Sequence, residues 1–387
     1  MQAVVLVAGE GRRLQPLTHN RPKSMLPIGR RPLLERILET ISESGIDDIV
    51  LVVGHKRERI QNYFGNGSDW GLSIRYVVQD QLLGTGDALL QAENVISEDF
   101  IVINGDRLVD ATLLEDLRER FLETGDACIG VTSVDNPSEY GVVTTEGDRV
   151  VEIREKPPAY SVSSNMVNVG AYAFGPEIFA AIRRTNAYGE LALTDTLDKY
   201  ITDHPLRAVR YYGPWHELSF PWDLLALNAK HLAESVVDVD ESAVVHETAT
   251  VTAPSVVGSQ SVLQPGARAL QNTVVGRNVS VGANAVVTNS IVLDDVTIRP
   301  GAVVTDSIVG SGATVGQSSS LVGGELDITY HGEVIEDVQF GCLLGDRTIV
   351  GGGVFVGAGS IVGNGVTVEG GTNVDGHVPD GAYVSRG

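Results

Sequence analysis

Residues 1–29 read MQAVVLVAGEGRRLQPLTHNRPKSMLPIG. The apolar run Ala3–Ala8 has the unbroken character of a strand buried on both faces. It ends at the glycine pair Gly9 and Gly11. Two arginines follow, and Lys23 comes directly after Pro22. A strand that runs into a glycine turn brings backbone N–H groups close to an anion. Cationic side chains behind that turn suit phosphate. Two common phosphate loops are excluded. In a GxGxxG fingerprint the third glycine would stand where Leu14 stands, and the second strand ends at Gly54 rather than at the acidic residue a dinucleotide ribose requires. The GK[ST] of a P-loop is absent as well. A triphosphate attacked at its α-phosphorus fits what is left, because the leaving pyrophosphate needs neutralising by groups such as Arg13 and Lys23. Arg12 reads as a solvated surface charge.

Outward from this stretch, strand-like and helix-like segments alternate up to about residue 230. PLLERILETISESG reads as an amphipathic helix ending at Gly45, DDIVLVVG as a second strand and KRERIQNYFG as a second helix. IRYVVQD, DALLQAENVI and FIVING continue the pattern. Such alternation predicts an α/β, Rossmann-like domain with a parallel sheet covered on both faces. Ligands in such folds sit beyond the carboxyl ends of the strands, where VAGEG and INGD both lie.

After about residue 240 helical periodicity disappears and a six-residue repeat replaces it. Apolar residues recur at Val245, Val251, Val257 and Leu263. Ala269 keeps the phase, and Val275, Val281, Val287 and Leu293 continue it. The series resumes at Leu344, Val350, Val356, Val362 and Val368. Each unit can form one side of a triangular coil with its aliphatic residue inward, and stacked coils make a parallel β-helix. The phase slips near Ile298, and residues 325–340, ELDITYHGEVIEDVQF, alternate like a β-hairpin leaving the coil. The expected organisation is a nucleotide-binding domain over 1–230, a linker over 231–243 and the β-helix over 244–387.

The chain has 387 residues, 43% of them apolar, which suits two or three domains. Its net charge is −22, and only five of its 28 basic residues are lysines: Lys23, Lys56, Lys156, Lys199 and Lys230. Acid spread along the chain argues against nucleic acid or an anionic membrane as partner, since both are polyanions. Spread acid with little lysine points to adaptation to high salt, where self-repulsion is screened. No basic segment followed by a long apolar one marks a signal peptide, and no apolar run approaches the ~20 residues of a membrane span. Cys128 and Cys342 lie far apart without metal-ligand spacing, which fits a reduced, cytoplasmic setting.

The stretch VVLVAGEGRRLQPLTHNRPKSMLPI resembles the signature of the sugar-1-phosphate nucleotidylyltransferases, the glucose-1-phosphate thymidylyl- and uridylyltransferase group. The resemblance continues in order: QDQLLGTGDAL is similar to the base-recognition segment, INGDRL to the metal-binding strand end, and YGVV, EIREKP and NVGAYAF to the sugar-binding segments. GELALTD is similar to the segment near the sugar pocket. The resemblance implies that Val7, Ala8, Gly9 and Gly11 hold the nucleotide. It also implies that Arg13 binds the β and γ phosphates and that Lys23 binds the α-phosphate and the sugar phosphate. Gln79, with an amide donor and acceptor, suits a pyrimidine edge, and Gly84 and Thr85 allow close approach. Asp106 would hold Mg²⁺, a hard cation that needs a carboxylate beside phosphate oxygens. Gly141, Glu155, Lys156, Asn168 and Gly170 would line the sugar pocket, with Lys156 paired to the sugar phosphate. Family members often carry Trp-x-Asp before a glycine. Here PWHELSFPWDLLALN puts Glu217 at that position as the second metal carboxylate, and Asp223, which also reads as a helix cap, competes with it.

A nucleotidylyltransferase joined to a left-handed β-helix resembles the bifunctional enzymes that also acetylate amino sugars. The stretch VVTDSIVGSGATVGQSSSLVGG, where that family carries its histidine base, has no histidine. His331 stands where the family's hairpin carries a different basic residue, His246 and His377 lie near the ends of the coil, and no lysine follows residue 230. Acetyl transfer is therefore expected to be absent. The resemblance implies dTTP or UTP and a sugar 1-phosphate as substrates, and a homo-oligomer, a trimer, assembled through the β-helix. Acetyl transfer to an amino-sugar phosphate and a non-catalytic regulatory homologue stay as alternatives.

Overall fold

The structure is a computed structural model that describes all residues except 186–188, 234, 235 and 387. The chain separates into two compact units. The first comprises Met1–Glu10, Arg21–Leu26 and Pro32–Glu217; the second comprises Gly11–Asn20, Pro27–Arg31 and Leu218–Gly387. The opening signature is therefore divided between them. The helix Pro221–Leu232 and residues 11–20 cluster with the second unit. Part of the expected linker, residues 234 and 235, lies outside the described residues. Its far end is already coil, since Asp238–Val239 pairs with Val256 and Val257.

The first unit is built on a nine-stranded sheet. Its strands run in the order Ser73–Val78, Asp48–Val53, Gln2–Val7, Phe100–Asn104, Met166–Phe174, Ala127–Ser133, Leu206–Arg210, Arg149–Glu155, Gly141–Glu146. The first four are parallel, and every residue of Gln2–Val7 is buried, as an apolar run covered on both faces requires. The rest of the sheet is mixed. Met166–Phe174 runs antiparallel to both Phe100–Asn104 and Ala127–Ser133. The expected parallel sheet is present in the first four strands, and the later strands are joined by hairpin-like returns as well as by helical crossovers. Gln2–Val7 lies between Asp48–Val53 and Phe100–Asn104, so the strand order reverses there. That reversal opens a crevice beyond the strand ends. Helix Leu33–Glu43 buries Leu33, Leu34, Ile37, Leu38 and Ile41, all on one helical stripe.

In the second unit three sheets of eight, eight and seven strands stack, each strand parallel to the one a full turn away. This is a parallel β-helix, consistent with the left-handed form. Its interior is an aliphatic column that includes Val257, Val275, Val292, Val309, Leu344 and Val362. Leu293 had been expected in this column, but Val292 occupies it, paired with Val275. The sides Val287 to Val292 and Val304 to Val309 each advance five residues rather than six, so the phase slips once before Ile298 and once after it. The hairpin Gly324–Tyr330 and Glu333–Phe340 leaves the coil between Leu321 and Cys342. His331 and Gly332 form its turn, with φ of 50° and 85°, the geometry that two-residue hairpin loops favour.

Candidate active site

The strands Gln2–Val7 and Phe100–Asn104 end side by side, and Gly105 follows the second. A Cβ on Gly105 would lie 2.2 Å from Val7 Cγ1 and 2.7 Å from the Leu6 carbonyl oxygen, so only glycine permits the approach. Asp106 comes next. Lys23, in a short 3₁₀ turn 83 residues earlier, donates to Asp106 Oδ2 at 2.9 Å. Both side chains are largely shielded. Burial pushes the Asp106 carboxyl up. Lys23 and Arg107 outweigh it and hold the group below the ordinary carboxylate range. Arg107 lies 3.5 Å from Asp106 Oδ1 through Nε and pairs through Nη1 with Glu217. Burial opposes its charge, but Glu217 and then Asp106 raise its pKa. The pairing of Glu217 with Arg107 follows from the sheet, where the two residues face each other across antiparallel strands.

Among the described residues no group of three or more histidine, cysteine or acidic side chains is arranged to hold a metal ion. Mg²⁺, however, is commonly held by one or two carboxylates plus substrate phosphates. Asp106 Oδ1 is buried and accepts no hydrogen bond, so this carboxylate keeps a coordination position. Glu217, expected as the second ligand, is engaged by Arg107. Asp223 is a helix cap: its Oδ2 accepts the N–H groups of Ser219 and Phe220 at 2.8 and 2.7 Å, at the start of helix Pro221–Leu232.

The segments expected around the sugar also come together. Gly141 pairs with Glu155 across adjacent strands. A Cβ on Gly141 would meet Glu155 Oε2 at 3.0 Å and Asn168 and Thr194 at 3.5 Å. Asn168 Oδ1 accepts the Gly170 N–H at 2.9 Å, and its Nδ2 donates to the Tyr172 hydroxyl at 2.6 Å. Burial pushes that hydroxyl up to about 12, so it stays neutral. Gly170, with φ of 85°, places its backbone against Asn104 and Arg107. This links the sugar segments to the Asp106 corner. Lys156 is exposed with φ of 42°, and its N–H donates to the Tyr140 carbonyl.

Gln79 is buried, and its Nε2 donates to the Gly84 carbonyl and to Asp87 Oδ2 at 3.1 and 2.8 Å. Gly84 has φ of 100°, and a Cβ there would strike the Leu191 carbonyl oxygen at 2.4 Å. Thr85 Oγ1 accepts the Leu193 N–H at 2.9 Å. The segments expected to recognise the base and to lie near the sugar pocket are thus joined. Val7 and Ala8 are buried, and nothing lies within 4 Å of a Cβ on Gly9. Gly11 and Arg13 belong to the second unit. Gly11 is left-handed, with φ of 64°, and Arg13 Nη2 donates to Glu333 Oε1 at 3.0 Å. Arg12 is exposed.

Reading the sequence missed four residues of this constellation. Arg107 lies between the two carboxylates and over the rings of Tyr140 and Trp215, at 6.0 and 5.2 Å. Asn104 Oδ1 and Thr194 Oγ1 are buried without hydrogen-bond partners. Trp215 donates to the Val169 carbonyl at 3.1 Å. The positions of Arg107 after Asp106 and of Asn104 before Gly105 were legible, but burial and missing partners appear only in three dimensions.

Glycine turns at the reversal of an α/β sheet, with a lysine and a carboxylate paired beyond the strand ends, define a nucleotide-handling α/β domain. The nucleotidyl transferase family model matches residues 2–234, and that of the GMPPB C-terminal domain matches residues 233–379. The chain belongs to the nucleotidyl transferase family. It is 34% identical over 268 residues to the bifunctional protein GlmU of Methanococcus maripaludis, covering 68% of this chain and 62% of that protein. It is 35% identical over 236 residues to the low-salt glycan biosynthesis nucleotidyltransferase Agl11 of Haloferax volcanii, covering 59% of this chain and 65% of that one. The chain spans 54–62% of the length of the bifunctional relatives it matches. The solved UDP-glucose pyrophosphorylase of Acinetobacter baumannii superposes with a TM-score of 0.55 at 26% identity, over 60% of this chain and 94% of that one.

Proposed function

We propose that the chain transfers a nucleotidyl group from dTTP or UTP to a sugar 1-phosphate, glucose 1-phosphate foremost, and releases pyrophosphate. The observation that carries this reading is the Lys23–Asp106 pair beyond the strand ends, linked through Arg107, Asn104 and Gly170 to the sugar segments. An oxygen of the sugar phosphate forms a bond to the α-phosphorus. The bond to the bridging oxygen breaks, and pyrophosphate leaves with the electron pair. The attacking phosphate is already ionised, so no general base is needed. Lys23 neutralises the α-phosphate and the sugar phosphate, and Arg13 the leaving β and γ phosphates. Asp106, with Glu217 as second carboxylate, would hold Mg²⁺, which supplies further charge neutralisation when bound. Gln79 reads the pyrimidine edge, with Gly84 and Thr85 beside it. Gly9 and Gly11, with Val7 and Ala8, hold the nucleotide. Gly141, Glu155, Lys156, Asn168 and Gly170 bind the sugar phosphate, and Asn104 and Thr194 offer partnerless polar atoms to sugar hydroxyls.

Acetyl transfer is absent in this reading, since the coil lacks both a histidine in the expected stretch and any lysine. The coil serves homo-oligomer assembly, as a trimer, in a cytoplasmic protein adapted to salt. Pyrophosphate release from each of four nucleoside triphosphates with a panel of sugar 1-phosphates, with Mg²⁺ at low and high salt, tests the proposal. Release is expected with dTTP or UTP. No release with any pair sinks the enzyme reading in favour of a non-catalytic homologue. Acetyl-coenzyme A consumption with glucosamine 1-phosphate would overturn the loss of acetyl transfer.

A further inference from the structure

Residues 11–20 contain only three-residue 3₁₀ turns, Arg12–Leu14 and Leu17–His19. Such turns have no cooperative stability of their own, so the position of Arg13 must be set by what the loop packs against. Within the second unit those partners are specific. Glu333 accepts from Arg13 Nη2 at 3.0 Å. The Arg13 guanidinium sits 5.3 Å from the Phe220 ring centroid. The Tyr330 hydroxyl donates to the Gln15 carbonyl at 2.8 Å. Asn364 donates to the Pro16 carbonyl, and Asn20 to Asp346.

Tyr330 and Glu333 are the last facing pair of the hairpin, separated only by the turn His331–Gly332. Arg13 and Gln15 are two residues apart in the loop. The hairpin tip grips the loop at two points, one on a side chain and one on the backbone. Tyr330 is fixed in turn by its edge-on contacts with Trp222, at 5.8 Å, and Phe220, at 6.4 Å. Trp222 rests on Phe340, back at the coil.

We infer that the hairpin Gly324–Phe340 positions Arg13 for the triphosphate, with Glu333 and Tyr330 as positioning residues. This rests on Arg13 being the cation for the β and γ phosphates. Free arginine side chains lose considerable rotamer entropy when they bind. Holding the guanidinium in place before the nucleotide arrives removes part of that cost. The Glu333 hydrogen bond occupies one of five guanidinium N–H donors, so the fork keeps donors for phosphate oxygens. Pre-positioning acts as the triphosphate binds, so the loss of Glu333 or Tyr330 falls on KM for the triphosphate, whereas neutralising the leaving pyrophosphate is the share of Arg13 itself and shows in kcat when Arg13 is removed.

The test is a set of variants of the full chain, Arg13→Ala, Glu333→Gln, Glu333→Asp, Tyr330→Phe and Arg13→Ala/Glu333→Gln, assayed by pyrophosphate release. Glu333→Gln is expected to raise KM for the triphosphate about two- to fivefold, the range an exposed charge pair supports, with kcat and melting temperature unchanged. Tyr330→Phe is expected to give a similar rise, and Glu333→Asp to recover part of the loss. In the Arg13→Ala background Glu333→Gln is expected to do nothing more. An equal rise in that background would show that Glu333 does not act through Arg13 and overturn the proposal. A fall in KM on Glu333→Gln would overturn it too, since Glu333 would then be a competitor for Arg13. Arg13→Ala with both KM and kcat unchanged would instead sink the assignment of Arg13 itself, an outcome separable from the others.

Discussion

The charged corner of the first unit and the aliphatic column of the second are stabilised in opposite ways. In the corner the groups are few, unlike one another and distant in sequence: Lys23, Asp106, Arg107 and Glu217. In the column they are many, alike and evenly spaced, and each turn repeats the one below it. The column therefore spreads its stabilisation over many equivalent residues, whereas the corner rests on single, unlike charged groups. Leu344 breaks the comparison from the coil side. It is fully buried and stacked between Val309 and Val362. Leu344→Ala is expected to cost about 2–5 kcal/mol of stability, the transfer and cavity terms together. The pyrophosphate-release rate per folded molecule should not change. Denaturant unfolding beside that rate measures both, and a large rate loss at full folding would mean that the column is coupled to the chemistry.

Lys23→Ala breaks it from the corner side. The expected loss in kcat is about 10²–10³-fold, the range for removing one preorganised charge from a transition state, with the fold retained by circular dichroism. A fully active Lys23→Ala enzyme would show that the lysine only neutralises Asp106. Asp223 and Glu217 sharpen the same contrast on a smaller scale. Asp223→Ala removes a helix cap and should cost about 0.5–2 kcal/mol without altering the Mg²⁺ concentration that half-saturates the reaction. Glu217→Gln should raise that concentration. The reverse pattern would make Asp223 the second metal carboxylate.

The two regions also differ in how legible they are from sequence. The coil is periodic, so Val257, Val275 and Leu344 declare their inward direction by spacing alone. Only its five-residue sides escaped, because dropping one residue from a turn leaves the composition unchanged, and Leu293 seemed to keep a phase that Val292 holds. Corner residues such as Asn278, with φ of 54°, and Asp295, with φ of 62°, sit in left-handed conformations that these two residue types tolerate. Their side chains bond from turn to turn, Asn278 to Asp295 at 2.7 Å. In the first unit the motifs marked Lys23 and Asp106 singly, but their ion pair is a long-range contact with no local signal. The antiparallel direction of strand Met166–Phe174, which reads as apolar as the parallel strands, was invisible for the same reason. The division of the signature between the units was hidden too. Nothing local in residues 11–20 distinguishes packing against the hairpin from packing on the strand that precedes them.

At neutral pH the smallest effect, one that grows only as pH rises, compares the units through one thiol each. Cys128 in the first and Cys342 in the second are free and buried. Burial pushes both thiols up to about 12. At Cys342 a Ser307 hydroxyl hydrogen bond opposes this, and at Cys128 the nearby Arg120 does. In unfolded chain a cysteine titrates near 8.5. A folded value raised above the unfolded one favours the protonated form in the native state. Each thiol's contribution is therefore fully present below about pH 8.5 and is lost as pH rises toward 12, with a slope of about 1.4 kcal/mol per pH unit. Cys128→Ala and Cys342→Ala should each make the alkaline fall of stability shallower by about that slope, read by denaturant unfolding at a series of pH values above 8. Neither thiol should react with a disulfide reagent at pH 8 until its own unit opens, so labelling of the single-cysteine variants in rising denaturant follows each unit separately. Rapid labelling of either native thiol would show that its unit opens locally, and a slope unchanged in both variants would place the alkaline loss on other groups.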